Sequence, residues 1–364
     1  MKVITGERVR TTERTPIPIQ GRRVASAEEA ARLDHVTSWP LGLSLAIGLA
    51  VLLLAALILS LGVGAVAISP TQVLHILLAR ARGIDASDAT HATIVWDLRL
   101  ARALLAVAVG SGLATAGAAY QALFRNPLAD PFVIGASGGA ALGATLAIVL
   151  GISAVMPAAF LGALAAVLIV YALAQVGGRT TAVNLLLAGA VLSTLLSAAV
   201  SLLMFLFDRN LHEVFAWLMG GFSGRSWPHL RMAAPAIGVG MAVLWGMARP
   251  LDALACGEES ARSLGLNLAW ARLMIVGAAT LATAAAVASA GIIGFIGLLA
   301  PHAARRLIGG AHHQAIPVSA LLGGLLLLLA DDLARTVMAP VELPVGILTA
   351  MLGAPFFLWL LKRR

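Results

Sequence analysis

Charge is in short supply. Asp, Glu, Lys and Arg make up 12% of the 364 residues, against about 25% in soluble domains, and a surface that meets water on all sides cannot be built from so few. Cys256 is the only cysteine, which excludes an intrachain disulfide and a thiolate metal site and leaves it a small structural residue. Aromatics are 5% of the chain and do not interleave with basic residues along a stripe, so the net charge of +8 does not point to nucleic acid. No glycine-rich loop ending in Lys-Ser or Lys-Thr occurs, so ATP hydrolysis is not expected of this chain and no cofactor is implied. Acids are rare inside the apolar runs, which argues against a proton- or sodium-coupled carrier. No paired constellation for intramembrane catalysis is found either. Near Met1 no apolar stretch precedes a small-residue cleavage site, so a cleaved secretory signal is not expected.

What the sequence has in abundance is apolar surface: 60% hydrophobic residues and a mean hydropathy of +0.94. Runs of about 20 such residues cross a bilayer. They fall at about 41–68, 100–124, 132–150, 155–175, 182–207, 229–248, 270–290, 292–309, 315–337 and 345–361. About ten spans predict one all-α membrane domain over 39–364, preceded by a disordered cytoplasmic tail over 1–38. An even number of spans puts both ends on one side. The tail carries Lys2, Arg8, Arg10, Arg14, Arg22, Arg23 and Arg32, and the other end Lys362, Arg363 and Arg364, so the positive-inside rule places both termini in the cytoplasm. Arg125, Arg249, Arg262, Arg272, Arg305 and Arg306 then lie on that side, and Arg99, Arg102, Arg225 and Arg335 on the other.

Several segments stand out. Gly and Ala crowd the spans, as in Gly135 to Gly143, where small residues let helix backbones approach closely. Ala114-Thr115-Ala116-Gly117 before Pro127 is echoed by Ala288-Ser289-Ala290-Gly291 before Pro301. If this echo is ancestral, the two halves form an inverted repeat. The polar stretch 249–268 reads as short helices, with acids favoured at their start and Gly265 as a terminator. It suits either a lever docked in a cleft of a soluble partner or a plain connector. Ser193, Ser197 and Ser201 share one helix face, with Met204 nearly in line. They are either a weakly polar wall or hydroxyls bonded to the preceding turn. His302, His312 and His313 are too dispersed for a buried three-ligand metal site. Asp331 and Asp332 beside Arg335 favour an ion pair over a proton relay.

The chain resembles the FecCD-type permeases, the membrane subunits that import vitamin B12, haem and ferric siderophores. The resemblance is carried by Asp97-Leu98-Arg99-Leu100-Ala101-Arg102, by Gln121 through Pro131, by Gly257 through Gly265 and by Gly294-Phe295-Ile296-Gly297-Leu298 with Pro301-His302. Ala330-Asp331 with Arg335, and Glu342 through Gly346 with Leu352 through Pro355, complete it in family order. It implies an ATP-driven importer of the type II architecture in the bacterial inner membrane. Two copies of this chain would pair with two ATPase subunits and a periplasmic binding protein. It further implies that Arg99, Arg102 and Arg335 seat the binding protein by charge complementarity, and that Gly257, Glu258, Ala261, Leu264 and Gly265 couple to the ATPase. Asn126, Leu128, Thr181 and Ala182 would form the cytoplasmic gate, with the α-helical serine face as the route. Ala101 stands where relatives often carry proline, and Ala182 and Val183 where some carry hydroxyls. A secondary transporter working without an ATPase is the alternative.

Overall fold

The computed structural model describes residues 39–64, 66–83, 89–176 and 179–362. The expected disordered tail over 1–38 lies outside the described residues. The long helices are α1 (Trp39–Gly62), α4 (Ala101–Leu123), α6 (Val155–Leu173), α7 (Ala182–Leu206), α9 (Trp227–Gly246), α12 (Leu268–Ala290), α14 (His312–Thr336) and α15 (Val345–Lys362). Between them sit α2 (Pro70–Ala81), α3 (Ala89–Thr93), α5 (Ala136–Val149), α8 (Leu211–Leu218), α10 (Ala248–Ala255), α11 (Glu258–Ser263) and α13 (Ile296–Ile308). A two-residue antiparallel ribbon, Gln175–Val176 with Arg179–Thr180, joins α6 to α7.

Local chemistry sets the starts. Ser69 forms a capping box with Gln72 ahead of Pro70, which fixes α2. Thr181 accepts from the Asn184 N–H at 3.2 Å to open α7, and Asn267 accepts from the Trp270 N–H at 3.1 Å to open α12. A π-helical turn, Ile94–Leu100, runs straight into α4, so Ala101 sits inside a continuous helical run over Ala89–Leu123 and not in a turn.

Side-chain contacts define two ends of the bundle. At one, here the rim, the end of α1 meets the starts of the π-turn and α4 and the end of α14 through Arg99, Arg102 and Arg335. At the other, the foot, Arg125, Asp252, Glu258, Arg272, Arg305 and the start of α14 lie together. Ten helices run between the ends in alternation: α1, α4, α5, α6, α7, α9, α12, α13, α14 and α15. Both α1 and α15 therefore have their outer termini at the foot. By length and composition alone six helices are able to cross a membrane, or seven with α9 and α10 counted as one span bent by 58°. The 20 residues of α9 reach about 30 Å, the depth of a bilayer core. Trp96 and Trp227 pack at the rim with ring centroids 5.8 Å apart, and Trp245 and Trp270 stand exposed at the foot; these are the levels at which aromatic belts form.

The two short crossings have a common cause. The 13 residues of α13 reach only about 20 Å, and the chain covers the remaining depth as an irregular link, 291–295, that ends with Phe295 at φ +69°. The 124–135 link does the same for α5, ending with Gly135 at φ +88°. Long helix, broken link, short helix and two long helices thus occur in α4–α7 and again in α12–α15, running in opposite directions. This is an inverted repeat. The short sequence echo does not mark it, because Gly117 lies within α4 whereas Gly291 caps the end of α12, and Pro127 lies in a turn whereas Pro301 lies inside α13.

Helices α4, α12 and α14 form the centre, with 83%, 78% and 61% of their apolar windows buried, while α1, α6 and α7 line the outside at 6%, 28% and 22%. Backbones touch at the centre. A Cβ on Gly110 would lie 2.2 Å from the Gly323 carbonyl oxygen, and one on Gly323 would lie 2.4 Å from that of Gly110. Gly139 and Gly162 repeat the arrangement between α5 and α6 at 2.3 Å. Such contacts hold helices together where lipid supplies no hydrophobic drive.

Candidate functional site

The rim holds a ladder of ion pairs. The Arg102 guanidinium donates to both Asp331 oxygens at 2.9 to 3.2 Å and to both Glu342 oxygens at 2.8 and 3.0 Å. Arg335 pairs with Asp332 and donates to the Ser60 carbonyl at 3.0 Å and the Val63 carbonyl at 3.1 Å. Arg99 donates to the Leu61 carbonyl at 2.8 Å and the Val66 carbonyl at 2.5 Å. Arg99 and Arg335 are buried, and Asp331 more so. Their donors bind backbone carbonyls at and just beyond the end of α1, tying that segment to the π-turn and to α14. The structure thus brings together the three arginines of the sequence analysis, and it spends much of their hydrogen-bonding capacity inside the chain. Asp331 and Asp332 are ion-paired.

Sequence reasoning set Arg225 on the same side as these arginines but gave it no role. It lines the same rim cavity of about 380 Å³ as Arg99, Arg102, Arg335 and Glu342, and its Nε is buried without a hydrogen-bond partner. Burial lowers its pKa. The signal available was the glycine-broken stretch Gly220-Gly221-Phe222-Ser223-Gly224 just before it. Burial pushes the Glu342 carboxyl up, but the hydrogen bond and charge of Arg102 outweigh it and hold the group below its ordinary value.

At the foot, α10 and α11 form a short arm. Gly257, at φ +117°, joins them and Gly265, at φ +80°, ends the second; both angles favour glycine. Glu258 and Glu259 occupy the first turn of α11. Glu258 pairs with Arg272 on α12, Ala261 is fully buried, and Leu264 is 75% exposed. The arm is therefore tied at its root and offers an apolar side chain outward. His312 at the start of α14 grips α10, its Nδ1 lying 2.5 Å from Asp252 Oδ1 while its backbone N–H donates to the same oxygen at 3.0 Å. Burial alone would raise Asp252, and the His312 hydrogen bonds hold it low instead.

The 124–135 link lies beside the arm, with the Arg125 guanidinium 3.6 Å from the place a Cβ on Gly257 would take. Gln121 donates to the Gly297 carbonyl at 3.2 Å and accepts from Arg305, locking α4 to α13. Asn126 accepts from the Leu128 N–H at 2.9 Å, and both side chains are exposed. Asp130 accepts from the Phe132 N–H at 2.9 Å. Thr181 caps α7, followed by Ala182. On α7, Ser197 and Ser201 are exposed, and Ser193 and Met204 are half-buried. The Ser201 hydroxyl donates to the Ser197 carbonyl at 3.0 Å, so this serine does bond to its preceding turn.

Helices that alternate between two polar ends, with a low-charge interior and an inverted repeat, define a multi-pass membrane permease. The chain belongs to the FecCD transport family, whose profile matches residues 52–363. It is similar to the cobalamin import system permease protein of Halobacterium salinarum, 45% identical over 278 residues that cover 76% of this chain and 75% of that protein. The hemin transport system permease protein of Yersinia pestis is 43% identical over 280 residues, covering 74% and 84%. A solved structure described as an inward-facing conformation of a metal-chelate type ABC transporter superposes with a TM-score of 0.79 at 32% identity, over 88% of this chain and 99% of that one.

Proposed function

We propose that the chain is the membrane subunit of an ATP-binding-cassette importer that carries a metal chelate, such as a cobalamin, haem or ferric siderophore, into the cytoplasm. In this reading two copies pair in the bacterial inner membrane, two ATPase subunits dock at the foot, and a periplasmic binding protein docks at the rim. Both termini then face the cytoplasm, in keeping with the basic residues at the foot. The cobalamin and hemin relatives support the cargo class.

The observation that carries the proposal is the α10–α11 arm. Nucleotide-driven motion must reach the membrane through touching surfaces. An arm fixed to α12 by Glu258 and Arg272, with Leu264 projecting 75% exposed, meets that need. Gly257, Ala261 and Gly265 give it shape. The rim arginines supply a cationic face for carboxylates of a binding protein, with Arg225 lining the cavity and its Nε without a hydrogen-bond partner. Asn126, Leu128, Thr181 and Ala182 take the gate, and the α7 serine face takes the route. The test is reconstitution of the chain with its ATPase and binding protein in vesicles. Leu264→Glu should leave the complex assembled on its α12 side yet abolish ATP-dependent uptake. Uptake that persists without any ATPase would support a secondary transporter instead.

A further inference from the structure

A cavity at the foot lies at the root of the arm and away from the proposed route. It encloses about 740 Å³, within the range that holds a sizeable organic ligand. Its walls come from three crossings: Leu43 and Ala46 of α1, Trp245 and Gly246 at the end of α9, and Pro317 and Val318 of α14. Arg249, in the first turn of α10, stands at its mouth with Gln314. Arg249 is exposed, and among the described residues it makes no ion pair, since Asp252 on the same short helix is taken by His312. The cavity therefore combines an apolar trough between membrane helices with a cation at the level of an interfacial tryptophan, whose indole N–H donates to the His313 carbonyl at 3.0 Å.

We infer that this trough binds one anionic phospholipid, with an acyl chain between α1, α9 and α14 and the headgroup phosphate on Arg249. Charge selects the occupant. A basic pocket between membrane helices recognises anionic headgroups, and Arg249 supplies the cation at this one. The site also has a mechanical place. Trp245, Gly246, Ala248 and Arg249 flank the 58° bend between α9 and α10, so a bound lipid braces the joint from which the coupling arm hangs. The inference requires only that α1, α9 and α14 cross a bilayer and does not depend on the ATPase assignment.

The test is native mass spectrometry of the full purified chain in mild detergent, titrated with phosphatidylglycerol or with phosphatidylcholine of the same acyl chains. Phosphatidylglycerol should bind about fivefold more tightly, the value of roughly one surface cation. Arg249→Gln should erase that preference and Arg249→Lys restore it. A Cβ on Gly246 meets nothing within 4 Å, so Gly246→Phe fills the trough without a clash at its first atom and should weaken retention of both lipids. Glycerol 3-phosphate at equal concentration should not displace the lipid. Equal retention of the two lipids, an unaltered preference in Arg249→Gln, undiminished binding in a folded Gly246→Phe, or displacement by glycerol 3-phosphate would each overturn the assignment. If Gly246→Phe does not elute as a folded species, the Arg249→Gln and Arg249→Lys pair decides the question.

Discussion

Arg102 carries the largest share of rim electrostatics, because it neutralises two carboxylates from different segments at once. Asp331 is only 1% exposed, and removing one member of a buried pair costs about 3–5 kcal/mol. Arg102→Met should therefore lower the melting temperature sharply, and Arg102→Met combined with Asp331→Asn should recover part of the loss in the same melt. Glu342, outside the spans, gives a pH trend. The Glu342 carboxyl is held below its ordinary value of 4.5, so its contribution is present above that value and fades as pH falls through its lowered pKa. Melting curves taken from about pH 7 down to about pH 3 should show Glu342→Gln flattening the fall in stability on the acid side. The arginines themselves were legible in the sequence as a spaced pair and a distant partner. Their hydrogen bonds to the carbonyls of Ser60, Leu61, Val63 and Val66 were not, because any residue supplies a carbonyl and no side chain advertises it.

Among the elements, hydropathy found the long helices and the short α5 and α13 to within about six residues, but ran the irregular links before α5 and α13 into those spans. Helices α2 and α8 are too short to register as spans. The 291–295 link escaped notice because Gly-Ile-Ile-Gly-Phe is as apolar as the helix that follows, and a hydropathy window does not sense a change of backbone direction. The arm was legible, since its acids and two glycines fit short helices in any context. Close packing makes a sharp prediction at this scale. Gly110→Val should force α4 from α14, where even a Cβ would approach the Gly323 carbonyl to 2.2 Å, and overpacking of this kind costs about 1–3 kcal/mol or more. A Cβ on Gly238 meets nothing within 4 Å, so Gly238→Ala should leave folded yield unchanged. Size-exclusion profiles of the two variants in detergent compare them directly.

For the whole molecule, burial sorts the helices into a packed centre and a loosely covered outside. Helix α7 is among the outer ones, with Val183, Leu187, Val191, Leu195, Leu202 and Phe205 all exposed alongside Ser197 and Ser201. In the proposed pair, the route lies against this helix. Ser197→Trp should then preserve folded yield and ATPase association while slowing uptake at least tenfold in vesicles. Unchanged uptake would move the route elsewhere. The serine spacing was readable from sequence, but which helix stays outside was not, because α7 and the central α12 have nearly the same hydropathy, 2.1 against 1.9.

The touching backbones of Gly110 and Gly323 have a consequence for genetics as much as for mechanism. A bundle closed at this crossing by main chain against main chain leaves each copy, in the proposed pair, to furnish one bank of the channel. Any substitution on that bank is mirrored on the opposite one. Cells expressing wild-type and altered copies together would hold three kinds of transporter, and a single defective allele would impair more than half of the assembled population.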